Sequence, residues 1–315
     1  MLEVLRAGPM LTVQDRGRFG WRHAGVSAAG PMDGPAFAMA NALVGNTAEA
    51  AALEFAHLGG IFRAHAPCRI AVTGGTAEVV IEGEPRPAWE AHRVMAGQTI
   101  RIGAMADAVW GYLAVSGGIE TPILMGSRAA HLRSGLGRVV EAGARLPLGA
   151  FDPRGPALAC RRPHAETLAP RDIRVVLGPQ QDAFSAEVLE RFASARFTVT
   201  TRRDRMAMIL DGPQIPAQRG HDIVSDGTVA GSIQIPGSGC PIVLMAEAQT
   251  TGGYPKIATV IGADLPRLAQ MPSGAAFRFR PVPRDTAEDI WIAQHSAERR
   301  ARLRLSVTIA RRWRA

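Results

Sequence analysis

Lys256 is the only lysine among 36 basic side chains. Where positive charge alone is needed, this chain uses arginine, so a solitary lysine marks a task a guanidinium cannot do. Lysine offers a compact ammonium whose pKa responds to burial, whereas guanidinium stays charged and planar. One of only two tyrosines, Tyr254, lies two residues upstream. Both follow the run Glu247-Ala248-Gln249-Thr250-Thr251-Gly252-Gly253. A strand leading into polar Gln-Thr-Thr and then Gly-Gly brings side-chain donors and bare backbone N–H groups to one small polar ligand. Gln234, in Gly231-Ser232-Ile233-Gln234, adds an amide to the same set. Tyr254 and Lys256 suit polarising or protonating a carbonyl oxygen, with Asp226 (in Ser225-Asp226-Gly227) or Glu247 as carboxylate partner.

A second polar cluster stands near the start, in Thr12–Gly20 and Ala29–Asp33, followed by Asn41 and Asn46, the only asparagines. Arg18, Asp33 and Asn41 are its candidate ligand-binding side chains.

The elements that must hold these groups are mostly strands. Short apolar runs broken by Gly and Pro appear at 69–73, 77–81, 99–102 and 109–115, then at 172–177, 197–201, 208–210, 232–235, 242–245, 258–261 and 276–279. That spacing predicts barrels or sandwiches rather than βαβ units. One helix interrupts each half. Asp33 is placed to cap the first, with Pro35 in its first turn, Phe37, Ala40, Leu43 and Val44 on one face, and Gly45 at its end. Asn41 falls off that face, free to reach a ligand or an adjoining loop. Asp182 is the expected cap of the second, running to about Phe192 with Phe184, Val188 and Leu189 buried. The organisation predicted is two β-barrel halves, 1–160 and 171–285, joined through 149–170, with a basic tail at 286–315.

Composition excludes several function classes. No run of about 18 apolar residues is present, so no membrane helix is expected, and the first 16 residues are too polar for a signal peptide. The expected location is the cytoplasm. Cys68, Cys160 and Cys240 are odd in number and far apart, which reads as buried thiols rather than disulfides or a zinc site. Net charge is +8, but half of it falls in the last 30 residues, and no nucleic-acid motif occurs in the body. The basic tail therefore reads as solvated, and no nucleic acid is expected as partner. There is no Walker A loop, no Gly-x-Gly-x-x-Gly before a helix, no His-Glu-x-x-His and no Gly-x-Ser-x-Gly. The eight histidines show no ligand spacing, so no metal is expected.

Taken in order, the opening cluster, Arg205-Met206 with Leu210-Asp211-Gly212, the run Ser225–Gln234 and the segment Gln249–Pro266 resemble a known family. It is the biotin-dependent carboxyltransferase / 5-oxoprolinase C-subunit family, also called allophanate hydrolase subunit two or KipA-like. The resemblance spans about residues 2–283 and implies tandem cyclophilin-like β-barrels. It departs at Ala129-Ala130-His131, where the family tends to carry small hydroxyl residues, and at Glu247, where Asp is expected.

The resemblance implies three possible jobs. The first is the C subunit of an ATP-dependent 5-oxoprolinase, which opens a lactam to glutamate beside an A-type protein and a B-type (KipI-like) protein. The second is one half of a carboxyltransferase taking CO₂ from carboxybiotin to urea or a similar amide. The third is a non-catalytic antagonist of a kinase inhibitor. No Met-Lys-Met biotin-attachment site is present, which favours the first over a fused carboxylase. No covalent cofactor is expected, and ATP is implied only for the complex.

Overall fold

The computed structural model describes residues 1–151, 172–218 and 220–312, with side chains to 305. The segment expected as a linker lies largely outside them, as does Cys160. The described residues are mainly β with a few helices, and they form two compact units. The first unit runs from Met1 to Arg18, resumes at Ala29, and takes in the chain from Ala297 onward. The second contains Phe19–Ala28 and continues to Ser296. Proximity along the sequence would have put the short piece Phe19–Ala28 in the first unit.

Two sheets build the first unit. One runs in the order Arg145–Leu146, Leu2–Ala7, Leu58–Ala64, Thr99–Met105, Ala77–Ile81, Glu84–Arg86. The other runs Thr12–Gln14, Ala52–Ala56, Trp110–Val115, Cys68–Thr73, Ala91–Val94. Alternate residues such as Val4, Phe55, Phe62, Ile70, Val72, Ile100 and Leu113 join one core, because a half-buried strand sends every second side chain to the same face. The helix Gly34–Val44 packs on the strands Cys68–Thr73 and Trp110–Val115. It starts where the sequence placed it: the Asp33 carboxylate accepts from Ala36 N at 3.0 Å. It stops at Gly45, whose φ of 85° is a left-handed conformation favouring glycine. Phe37, Ala40, Leu43 and Val44 are all buried. Cys68 is buried too, and the low dielectric around it pushes its thiol up to about 11, whereas Cys240 is only partly buried.

The main sheet of the second unit has eight strands, ordered Ala276–Phe277, Phe197–Arg203, Ala207–Asp211, Ile242–Leu244, Ser232–Gln234, Lys256–Val260, Ile173–Leu177, Phe279–Pro281. Its two edge strands are separated in sequence by Arg278 alone, so the sheet must curl round until its edges nearly meet. This is the barrel geometry that the alternating short strands required. Every pairing is antiparallel except the last, Ile173–Leu177 beside Phe279–Pro281. Phe192, Phe197, Phe277 and Phe279 pack ring on ring at the closure, with centroids 4.8–5.9 Å apart.

Three sequence expectations need correction here. The second helix is Ala186–Ser194, and its cap is Ser185, whose hydroxyl accepts from Val188 N at 3.2 Å. Asp182 lies earlier, in a separate 3₁₀ turn (Gln181–Ala183), and Phe184 is extended between the two. Leu189 is only partly buried, while Val188 and Phe192 are fully so. The basic segment is helical from Arg284 to Arg312, and its first turns are not solvated all round: Ala287 and Ile290 pack against Ile261 and Ala263.

Candidate active site around Lys256

Lys256 begins a strand and stands opposite Gln234 in the antiparallel ladder, beside a register irregularity. Residues directly opposite each other share a face of the sheet, so the two side chains start from the same side. Lys256 is 3% exposed. Its Nζ lies 2.8 Å from Asp226 Oδ2, and the Asp226 side chain is 51% exposed. The pair therefore joins a sheltered ammonium to a carboxylate that still faces water.

A short network fixes Asp226. Its Oδ1 accepts from Gly227 N at 2.7 Å, and its Oδ2 accepts from Gln180 Nε2 at 3.1 Å as well as from Lys256. The Lys256 hydrogen bond, then those of Gly227 and Gln180, hold the carboxyl below its ordinary value. Gln180 closes the ring by accepting from Lys256 N through its Oε1 at 3.2 Å.

The Gln-Thr-Thr-Gly-Gly loop is stapled to the segment that carries Asp226. Asp226 and Gly227 pair with Gly252 and Thr251 in a two-stranded ribbon. Ile223 N donates to Gly253 O at 2.8 Å and Thr228 N to Thr250 O at 3.0 Å, while the Thr228 hydroxyl donates to Gln249 O. Arg22 in turn donates to Thr228 O. Gly252 has no room for a side chain: a Cβ there would lie 2.3 Å from Gln234 Nε2 and 3.0 Å from Gln249 Nε2. Two amide nitrogens thus converge on bare backbone.

Gln234 is 2% exposed, and its Nε2 has no hydrogen-bond partner among the described residues. An unmade bond of this kind costs about 1–3 kcal/mol, and a ligand carbonyl oxygen would remove that cost. Tyr254 is 38% exposed, Thr251 is exposed, and Gln249, Thr250 and Gly253 are part-buried. Together these residues form a small, donor-rich cup around a lysine. Such a cup is suited to an amide or lactam carbonyl.

Of the two carboxylates read from the sequence as possible partners, Asp226 takes that position. Glu247 is engaged instead by Arg205, with Nε to Oε1 at 2.5 Å and both residues almost wholly buried. In the first unit, Arg18 donates to Leu124 O at 3.1 Å and to Ala129 O at 2.8 Å, holding the loop there. Asp33 caps its helix, and its N–H donates to the Tyr112 hydroxyl at 2.7 Å. That hydroxyl donates to Glu54, and its pKa is raised well above the usual value, first by burial and then by Glu54. Asn41 reaches an adjoining loop: its Nδ2 donates to Ala50 O at 2.8 Å, and its Oδ1 accepts from Asn46 at 2.9 Å. The residue that sequence reasoning missed is Gln180. It sits after Gly178-Pro179, 46 positions before Asp226, and no local pattern marks it.

The carboxyltransferase domain profile, subdomain A and B, matches residues 24–281. Over 292 residues the chain is 35% identical to the C subunit of 5-oxoprolinase from Escherichia coli (strain K12), covering 89% of this chain and 90% of that protein. It is 33% identical to the C subunit of 5-oxoprolinase from Haemophilus influenzae, covering 90% and 91%. The solved Kluyveromyces lactis urea carboxylase superposes with a TM-score of 0.86 at 27% identity, across 95% of this chain but 29% of that longer one. Matched along most of its length by profile, sequence and fold, the chain belongs to the carboxyltransferase domain family, subdomains A and B.

Proposed function

We propose that this chain is the C subunit of an ATP-dependent 5-oxoprolinase. It holds a small amide or lactam, 5-oxoproline, for opening to glutamate, and it acts in the cytoplasm beside an A-type protein and a B-type (KipI-like) protein. The observation that carries the reading is the sheltered Lys256, tied to half-exposed Asp226, next to the unpartnered amide of Gln234. It is supported by identity to the C subunits of two 5-oxoprolinases over nearly their whole length.

In this reading the Gln234 amide, Gln249 and Lys256 donate to the lactam oxygen and draw electron density from the ring C–N carbonyl. Thr250, Thr251 and the backbone of Gly252 and Gly253 line the cup, and Tyr254 closes its outer side. ATP, bound within the complex, transfers its terminal phosphoryl group to that oxygen and leaves ADP. Water then adds to the carbon and the C–N bond breaks, the nitrogen taking up a proton to become the amine of glutamate; a second water hydrolyses the acyl phosphate left behind and releases phosphate. Asp226 keeps the Lys256 ammonium in place throughout.

The test is glutamate formation from 5-oxoproline and ATP, with this chain co-expressed beside its two partner proteins. The expected result is activity that requires this chain and falls with Lys256→Ala. A stable complex without activity would sink the reading. The second reading, carboxyl transfer between carboxybiotin and urea, is favoured by the fit to urea carboxylase. Urea-dependent decarboxylation of carboxybiotin by the same complex would then be the result.

A further inference from the structure

The first unit contains a cavity of about 840 Å³, lined by none of the residues of the amide cup just described. Its wall is apolar where Val13, Val140 and Leu146 reach it. Three guanidinium groups, Arg128, Arg138 and Arg145, also line it, against one carboxylate, Glu141. Arg128 is anchored by donating to Thr121 O. Arg145 faces Glu3 across the strand pair; that carboxyl is held below its ordinary value first by its His65 hydrogen bond and, to a smaller extent, by the Arg145 charge. Arg138 makes no ion pair or hydrogen bond among the described residues. The Thr121 hydroxyl, also in the wall, is buried without a partner. The floor at Ala129 and Ala130 carries only methyl groups, and Ala130 O is already taken by Gln14 Nε2 at 3.3 Å. The polar capacity still open is thus the whole Arg138 guanidinium, the N–H groups of Arg128 not given to Thr121 O, the Arg145 guanidinium and the Thr121 hydroxyl, beside an apolar wall.

We propose that this cavity binds a small organic anion, its carboxylate or phosphate head held by Arg138 and Arg128 and its apolar body lying along Val13, Val140 and Leu146. Guanidinium forks match both heads in geometry, and an excess of positive charge in a concave site favours either. An inorganic ion would leave the apolar wall uncovered, and a neutral hydrocarbon would leave Arg138 unmatched. The assignment does not depend on the amide chemistry of Lys256.

Calorimetric titration of the whole chain with octanoate, octyl phosphate, inorganic phosphate and octanol tests it. The expected order puts octanoate or octyl phosphate first, and whichever binds more tightly identifies the head. Arg138→Glu, an exposed substitution, should weaken that binding about tenfold or more, and Ala142→Trp on the exposed lip should block it. The thermal midpoint of both variants should match the parent. Octanol binding as tightly as octanoate, inorganic phosphate as tightly as octyl phosphate, an unchanged affinity in Arg138→Glu, or no binding of any probe would each overturn the proposal.

Discussion

The second unit holds two ion pairs that look alike in sequence and differ in what they can do. Arg205–Glu247 is closed: both side chains are out of water, 2.5 Å apart. Lys256–Asp226 is open at one end: the lysine is sheltered, but half of the Asp226 side chain meets solvent. A closed pair holds two pieces of chain in register and has no free face for a ligand. An open pair keeps a donor in a low-dielectric cup while its counter-charge stays hydrated, so a substrate can enter beside the lysine without stranding a carboxylate. Burial of both partners, rather than residue type or spacing, separates strut from reactive group.

That contrast can be broken most directly at Glu247. Glu247→Ala would leave the Arg205 charge buried, a change that costs about 3–5 kcal/mol, and chemical denaturation should show a loss of that size. Lys256→Met keeps most of the aliphatic stem and leaves Asp226 in water, so the fold should survive. Glutamate formation by the complex should fall about 100-fold, as for removal of a key donor to a developing oxyanion. If Lys256→Met unfolds the chain while Glu247→Ala does not, the roles assigned to the pairs are reversed.

Gly252→Ala sharpens the comparison at the cup. Its methyl group would press on the Gln234 and Gln249 amides, and turnover should fall about tenfold with little change in melting temperature. The smallest effect concerns pH. The folded-state pKa of Asp226 lies below the ordinary 3.8, so its contribution to stability is full above that value and disappears as pH falls through the depressed one. Melting curves of the parent and Asp226→Asn should therefore differ near neutrality and converge in strong acid. A difference that persists unchanged into strong acid would contradict the assignment.

Much of the fold could be read along the chain. Strands such as Ala77–Ile81 fell where alternation predicted them, and the helix after Asp33 began and ended at its cap residues. These features are local: a carboxylate three residues before a free N–H, or a glycine able to take φ of 85°, is set by near neighbours. The second helix shows the limit of local signals. Asp182 and Ser185 are both good caps, and the choice fell to the residue followed directly by helical backbone, with buried Phe184 extended just ahead of it.

For the site, the sequence by itself singled out Lys256, Tyr254 and the Gln249–Gly253 loop, because rarity and turn chemistry are properties of the chain. It also carried the family resemblance, through motifs kept in order. Only the tertiary structure decided which carboxylate faces the lysine. Asp226 and Glu247 are 30 and 9 positions from Lys256, and sequence distance favours the wrong one. The ribbon between Asp226–Gly227 and Thr251–Gly252 delivers Asp226, while burial beside Arg205 removes Glu247. Gln180 was beyond reach for the same reason. Its role comes from strand pairing across dozens of residues, and the strength of an electrostatic contact depends on distance and dielectric, which only packing sets.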